Sequence, residues 1–376
     1  MKSTENDPYP IYYYRGNVTN NHLIFGGFCW RIVRTTETGG TKLIYNGTPN
    51  EGKCTATGTD TQITTSKFNN NNNSPAYVGY KYGSTHPSYL YTTSSTISNI
   101  GTIVYGKNIA YQNGKYTLTD TITNSNYTNG YNDTSQSGLR YHHYTCFTNS
   151  STCSTVYYIY YLESNRVFHF SLTGGKNITQ TLNEMLSDND GTDASNAYTE
   201  LNTWYRNNLL SSASKLEDTV FCNDRSISNY GGLDINNANT TYLYFGVKGR
   251  LVDNKSPSLV CQNPGDRYTV SKSKGNGQLE YPIGLLTADE YALAGAISGS
   301  INNSFYLYNG QNQWSMSPSY LSLLAAFELG LNSSGKLNTI SVAGSARGLR
   351  PVVSLLSSAT ITGGNGTSTN PYIVGN

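Results

Sequence analysis

His142, His143, Cys146 and Cys153 carry the atom types that bind zinc. The two histidines are adjacent and the spacing fits no standard zinc finger, so a disulfide between Cys146 and Cys153 is preferred to a metal site. Asp188, Asp190 and Asp193, in SDNDGTD, resemble a calcium loop in miniature. That loop lacks the bidentate Glu at the proper distance, so its acids read as residues leading into a helix. Gly330 to Lys336 (GLNSSGK) begins like a phosphate-binding loop, but Leu337 stands where the magnesium-holding Ser or Thr belongs. Ser333 and Lys336 have the acylating-serine spacing, yet they fall in a turn between strands rather than at a helix start. The five histidines form no arrangement that would activate a Ser or Cys nucleophile. No catalytic residue and no resident metal are predicted; calcium is the one cofactor that the Asp188 loop raises.

Sulfur is the chemistry that remains. The six cysteines are Cys29, Cys54, Cys146, Cys153, Cys222 and Cys261. An even count in a sparsely charged chain favours a disulfide framework and an oxidising compartment. Sequence proximity suggests Cys29–Cys54, Cys146–Cys153 and Cys222–Cys261, although other pairings are open. The expected location is therefore extracellular, at the cell surface.

The elements that must hold these residues are mostly strands. Residues 23–34 (LIFGGFCWRIVR) are apolar and aromatic; the turn TETGG and KLIYNG follow, and together they predict a hairpin. Residues 48–98 are rich in Thr, Ser, Asn and Gly and read as loop. Asn113-Gly114 between tyrosine-rich stretches predicts a second hairpin, and STVYYIYYL with RVFHFSLTGG a third. Helical spacing appears at 177–189 and again at 194–210, where Tyr198, Leu201, Trp204, Tyr205 and Leu209 form one stripe behind Asp193 or Ser195 as cap. That stripe reads as core packing. LTADEYALAGA opens with Thr287 and places Glu290 three residues on, a capping box that assigns Asp289 and Glu290 to the helix start rather than to acid–base work. Strands are expected at 242–247, 268–273, 304–310, 313–318, 325–331, 339–344 and 349–355, and an extended tail at 359–376. The fold class is α+β.

Composition narrows the partners. Only 13% of the 376 residues are charged and the net charge is +2, which leaves no basic face for nucleic acid. No apolar run reaches the roughly 18 residues of a membrane helix. The opening MKSTENDPYP is polar and does not read as a signal peptide, so export implies a leader outside this sequence. Tyrosine dominates the aromatics, with 33 against 10 Phe and 3 Trp; its flat ring and polar tip suit contact surfaces.

WRIVRTTETGGTKLIYNG (30–47), LNTWYRNNLL (201–210) with LEDTVFCNDRS (216–226), YPIGLLTADEYALAG (281–295), WSMSPS (314–319) and AAFELGLNSSGKL (325–337) with GLRPVVSL (348–355) occur in one order. This ordered set resembles the C-type-lectin-like domain of uncharacterised bacterial cell-surface proteins, especially those of gut bacteria. The resemblance implies a C-type-lectin-like core, a small mixed sheet plus two helices, whose ends lie together. It divides the chain into first core strands at 1–48, an inserted Tyr/Asn/Thr-rich β subdomain at 49–194, the rest of the core at 195–358 and the tail at 359–376. It implies that Arg350 anchors the last strand. It also places ligands near the C-terminal third, where Tyr306, Tyr308, Tyr320 and Trp314 could stack on sugar rings while Gln311 and Gln313 bond hydroxyls. Neither the Glu-Pro-Asn nor the Trp-Asn-Asp element of a calcium-dependent sugar site is present. The expected function is non-catalytic recognition or adhesion, with a glycan or protein surface as ligand. The alternative is a structural subunit of an appendage or pilus-like filament that self-associates through Tyr-rich faces.

Overall fold

The computed structural model describes residues 8–70, 72, 75–81, 194–225, 243–261, 264–321 and 325–375, and the backbone of seven short strands between 103 and 170. The aromatic run at 23–34 is itself a hairpin. β1 (His22–Phe25) turns at Gly26-Gly27 into β2 (Phe28–Thr35). Both glycines have positive φ, 57° and 81°, the backbone of a tight type I′ turn that side chains resist. β2 then reverses over Thr36–Gly40 into β3 (Thr41–Tyr45), with Trp30 opposite Tyr45. β4 (Thr64–Ser66) lies in the stretch read as loop, and Phe68, Tyr77, Val78 and Tyr80 beyond it are buried. The core therefore continues past residue 48 and takes in much of 50–81.

Further on, β5 (Ile103–Val104) pairs with β8 (Thr121–Ile122), and β6 (Ile109–Gln112) pairs antiparallel with β7 (Lys115–Leu118), the two strands expected either side of Asn113-Gly114. β9 (Arg140–His143), β10 (Tyr158–Tyr161) and β11 (Val167–Phe170) form a three-stranded antiparallel sheet that includes the expected third hairpin. Cys146, Cys153, the loop from Asp188 to Asp193 and the helix expected at 177–189 lie outside the described residues.

Helix α1 (Asn196–Asn208) starts at Ser195, whose Oγ accepts from the Tyr198 N–H at 3.1 Å. Its stripe is the core face: Tyr198, Leu201, Tyr205 and Leu209 are buried. Trp204 completes an aromatic box with Phe28 at 5.1 Å, Tyr45 at 5.5 Å and Trp30 at 6.2 Å between ring centres. That box docks the helix on the first sheet.

β12 (Phe221–Cys222), β13 (Leu243–Tyr244) and β14 (Arg267–Tyr268) are short. Helix α2 (Ala288–Ala294) has the predicted capping box, with Thr287 Oγ1 accepting from Glu290 N and Glu290 Oε2 accepting from Thr287 N, 3.1 and 3.0 Å. β15 (Ile297–Ser298), β16 (Gln313–Leu321), β17 (Ala326–Leu331), β18 (Lys336–Ser341), β19 (Arg347–Leu349), β20 (Val352–Leu355), β21 (Ile361–Gly363) and β22 (Tyr372–Val374) complete the chain.

One six-stranded sheet has the order β20-β3-β2-β1-β22-β21. The other runs β15-β18-β17-β16-β19-β4, with β13 beside β16. A single apolar cluster draws on both sheets and both helices. The expected strand at 349–355 splits at Arg350-Pro351, passing from β19 in one sheet to β20 in the other. Buried Arg350 fixes that crossing: it donates to the carbonyls of Tyr45 and Leu307 and to Asn46 Oδ1 at 2.9–3.1 Å.

Three strand expectations need correction. Residues 304–310 form turns, because Asn302 and Asn309 accept from backbone N–H groups two residues on and curl the chain. Of 268–273 only Tyr268 is in a strand; the N–H groups of Val270 and Ser271 turn to the Asp218 carboxylate, each 2.8 Å away. Among the described residues of 242–247, Leu243–Tyr244 form the strand, Phe245 adds one bond to Ser319 of β16, and a helical turn follows at Gly246–Lys248. The tail at 359–376 goes beyond an extended stretch, since β22 runs parallel to β1 with Ile373 beside Ile24.

The capping box gives the first test. Thr287→Ala removes one of its two reciprocal bonds and is expected to lower stability by about 1 kcal/mol, read from the urea midpoint.

Candidate functional site

Several charged residues of the core converge on the first turn of α2. Asp289 and Glu290 are both buried there. Glu290 Oε1 accepts from Arg34 Nε at 2.7 Å and from Lys42 Nζ at 2.8 Å, so β2 and β3 each send a cation to it. Lys42 also lies 4.9 Å from the centre of the Phe221 ring. Burial alone would raise the Glu290 carboxyl, but Lys42 and Arg34, helped by the Thr287 N–H, bring it down to about 2. Burial draws the Lys42 ammonium down, and Glu290 opposes this. Asp289 holds the other side: Arg250 donates to both its oxygens at 3.2 and 3.0 Å, and the Ser258 N–H donates at 2.9 Å. Arg250 also reaches Asp224 at 2.7 Å. Burial works against the charge on Arg250, yet Asp289 and Asp224 prevail and raise its affinity for the proton.

Above this network opens a cleft of about 70 Å³. The disulfide Cys222–Cys261 lines it, with an S–S distance of 2.00 Å. A second disulfide, Cys29–Cys54, ties β2 to the following loop. Away from the cleft lining, Arg225 Nε meets Asp266 at 2.8 Å; burial nevertheless lifts the Asp266 carboxyl to about 6, with Arg225 opposing. The cations on the cleft wall are Arg34, Lys42, Arg250, Arg267 and Lys274. Its carboxylates are Glu37, Asp224, Asp289 and Glu290, and each has one of those cations within 4 Å. Among the described residues no three His, Cys, Asp or Glu stand close enough to share a metal ion.

The residues expected at a ligand surface do not gather into one exposed patch. Gln313 is fully buried, taking the Tyr291 hydroxyl at 3.0 Å and donating to Asn309 at 2.8 Å. Trp314 is buried against Phe68, its indole N–H donates to the Ser66 carbonyl, and the Arg347 guanidinium lies 5.7 Å from its ring centre. Tyr306 is buried beside Arg31. Tyr308 and Gln311 are partly exposed; the Tyr308 hydroxyl donates to the Ser333 carbonyl. Tyr320 is stacked on Phe327 at 4.4 Å, away from the others. Ser333 and Lys336 flank a β17–β18 turn organised by Asn332, whose Oδ1 accepts from the N–H groups of Ser334 and Lys336.

The more exposed tyrosines stand elsewhere. Tyr9 and Tyr12 are 54% and 69% exposed, and Tyr13 is 39% exposed. Their segment runs beside the end of β2, with Tyr12 N and O both bonded to Thr35 and Tyr13 bridged to Arg34. Tyr9 lies against Gly39 of the β2–β3 turn. The signal was the run PYPIYYYRG itself, which carries no strand or helix period. Family models, curated proteins and solved structures show no match to the chain.

One buried acid stands apart from the network. Glu328 on β17 is fully buried between Pro318 and Ile340 of the flanking strands, and neither carboxyl oxygen has a hydrogen-bond partner. Burial raises its proton affinity well above the usual carboxylate range.

The two acids predict opposite pH behaviour. Glu290 is depressed from 4.5 to about 2, so its stabilisation is present above pH 4.5 and is lost as pH falls toward 2. At about 1.4 kcal/mol per tenfold change in proton affinity this is about 3 kcal/mol. Glu290→Gln leaves Lys42 without a full counter-charge, and a loss of about 3–5 kcal/mol in urea unfolding at pH 7 is expected. Glu328 is raised, so its contribution is intact below pH 4.5 and declines as pH climbs toward the folded value. Glu328→Gln is expected to match the parent at pH 4 and exceed its urea midpoint at pH 8; equal midpoints at pH 8 would refute the protonated assignment.

Proposed function

We propose that the protein is a non-catalytic recognition or adhesion protein of the cell exterior, with a C-type-lectin-like frame, that binds a glycan through exposed tyrosine rings. The observation that carries this reading is the exposed set Tyr9, Tyr12 and Tyr13 on a body stapled by two disulfides. A sugar presents flat C–H faces, which pack on aromatic rings, and hydroxyls, which the phenol tips can bond. The bonds between the Tyr12 main chain and Thr35 fix the backbone that carries the rings before a ligand arrives, which lowers the entropy lost on binding. Two disulfides favour an oxidising compartment. No helix among the described residues is long and apolar enough to cross a membrane. A lectin-like core also accords with the mixed α+β architecture and with Arg350 at the junction of the two sheets.

A glycan array with purified protein tests the reading. Binding should fall about tenfold for Tyr12→Ala and again for Tyr13→Ala, since one lost ring contact is worth about 1–1.5 kcal/mol. Both positions are exposed, so the melting temperature should stay within about 1 °C of the parent. Full retention of binding in the double variant would remove these rings from the site, and an array with no bound glycan would remove the glycan reading.

A further inference from the structure

The cleft beside α2 is lined by a disulfide, and the two described disulfides differ in exposure. Cys29 and Cys54 are 0% and 1% exposed, closed off by the sheet and its loop. Cys261 is 4% exposed, but Cys222 is partly accessible, and both line the open cleft. A thiolate that attacks a disulfide must approach one sulfur from outside, so access selects the sulfur. Of the two residues, Cys222 is the more exposed.

The surrounding charge selects the attacker. Arg34, Lys42 and Arg250 are matched by Glu37, Glu290, Asp224 and Asp289. Arg267 differs: its Nε and Nη2 both donate to the Cys261 carbonyl, at 3.1 and 3.0 Å, and no carboxylate pairs with it among the described residues. Lys274, 45% exposed, adds a second outward cation, with Glu217 only at 3.9 Å. An incoming thiolate, and any carboxylates it carries, meets these two cations at the mouth of the cleft. Arg267 also lies beside the residue whose sulfur must leave as an anion.

We propose that Cys222 is a redox modification site, taken by small anionic thiols as a mixed disulfide. The thiolate sulfur forms a bond to Cys222 Sγ, the Cys222–Cys261 bond breaks, and Cys261 departs as the thiolate with the electron pair. A second thiol of the same class then attacks the mixed disulfide. It leaves with the first as their disulfide, two thiols having been oxidised and the protein pair reduced; Cys222 and Cys261 each gain a proton from water. The cross-link that is cut encloses Asp224, Arg250 and Ser258, the groups that meet Asp289 and each other across the cleft, within a span of 39 residues.

Three thiols of different charge separate the outcomes: anionic glutathione, uncharged 2-mercaptoethanol and cationic cysteamine. The native, fully oxidised protein is treated with each, quenched with acid and mapped by mass spectrometry. Glutathione is expected on Cys222 and not on Cys261, about tenfold faster per thiolate than cysteamine, while Cys29–Cys54 stays oxidised. Lys274→Gln should lower the glutathione rate about twofold and the 2-mercaptoethanol rate by less, since the latter's thiolate carries no carboxylate. Arg267→Gln should narrow the difference between anionic and cationic thiols, and Arg267→Lys should restore it. The proposal fails if the two disulfides open together, if the adduct sits on Cys261, or if cysteamine reacts as fast as glutathione. A folding defect in the Arg267 variants leaves the Lys274 comparison and the adduct map to decide.

Discussion

The first turn of α2 is the constraint on which the structure turns. Its two adjacent carboxylates face different parts of the molecule, and both are away from water. Glu290 neutralises a cation from β2 and another from β3, while Asp289 neutralises the arginine of the 246–261 stretch. A buried ion pair gives little net stability when it is intact, but the loss of one partner is costly, because the other charge is left in a poor solvent. The interaction therefore acts less as glue than as a specification. Sheet and cleft wall must arrive at one short helix in one register, or several charges are stranded together.

Much of this frame was legible from residue types. The capping box at Thr287 and Glu290, the stripe from Tyr198 to Leu209 and the hairpin around TETGG follow from local pattern, and local pattern has a local cause; the pairs Cys29–Cys54 and Cys222–Cys261 were only the nearest of several open pairings. What the sequence concealed depends on distant partners. Nothing near Glu290 announces Arg34 or Lys42, more than two hundred residues earlier. Tyr306 and Tyr308 alternate as a strand would, but Asn302 and Asn309 offer the backbone nearer acceptors. Gly26-Gly27 lay inside an apolar run, and its turn chemistry was masked by hydrophobic neighbours. Trp314 and Gln313 looked available for a ligand because polarity and aromaticity do not reveal burial; Ser66, Asn309 and Tyr291 satisfy them internally.

The abundance of tyrosine acquires a structural meaning as well. Inside the molecule several rings work as phenylalanines would: the hydroxyls of Tyr80, Tyr205 and Tyr306 are buried with no partner, and Tyr205 stacks on Tyr281 at 4.7 Å. Burial raises the Tyr205 phenol to about 12. Others use the tip: Tyr198 takes the Glu280 N–H, and Tyr268 donates to the Lys81 carbonyl. At the rim of the β2–β3 hairpin the same side chain is left to solvent. One residue type thus fills core, joint and surface, and its number alone does not tell these uses apart.

The parallel pairing of β1 with β22 has a temporal consequence. A strand near residue 23 finds its neighbour near residue 373, so the first sheet cannot close until that distant strand has been synthesised. Contacts of such high order are slow to form, since a long loop must be closed before they return any energy. Until then β1 has an open edge, and an open edge invites foreign strands. The Cys29–Cys54 bond closes over only 25 residues. It can therefore secure the early hairpin during that interval, which makes the order of oxidation part of how this chain reaches its fold.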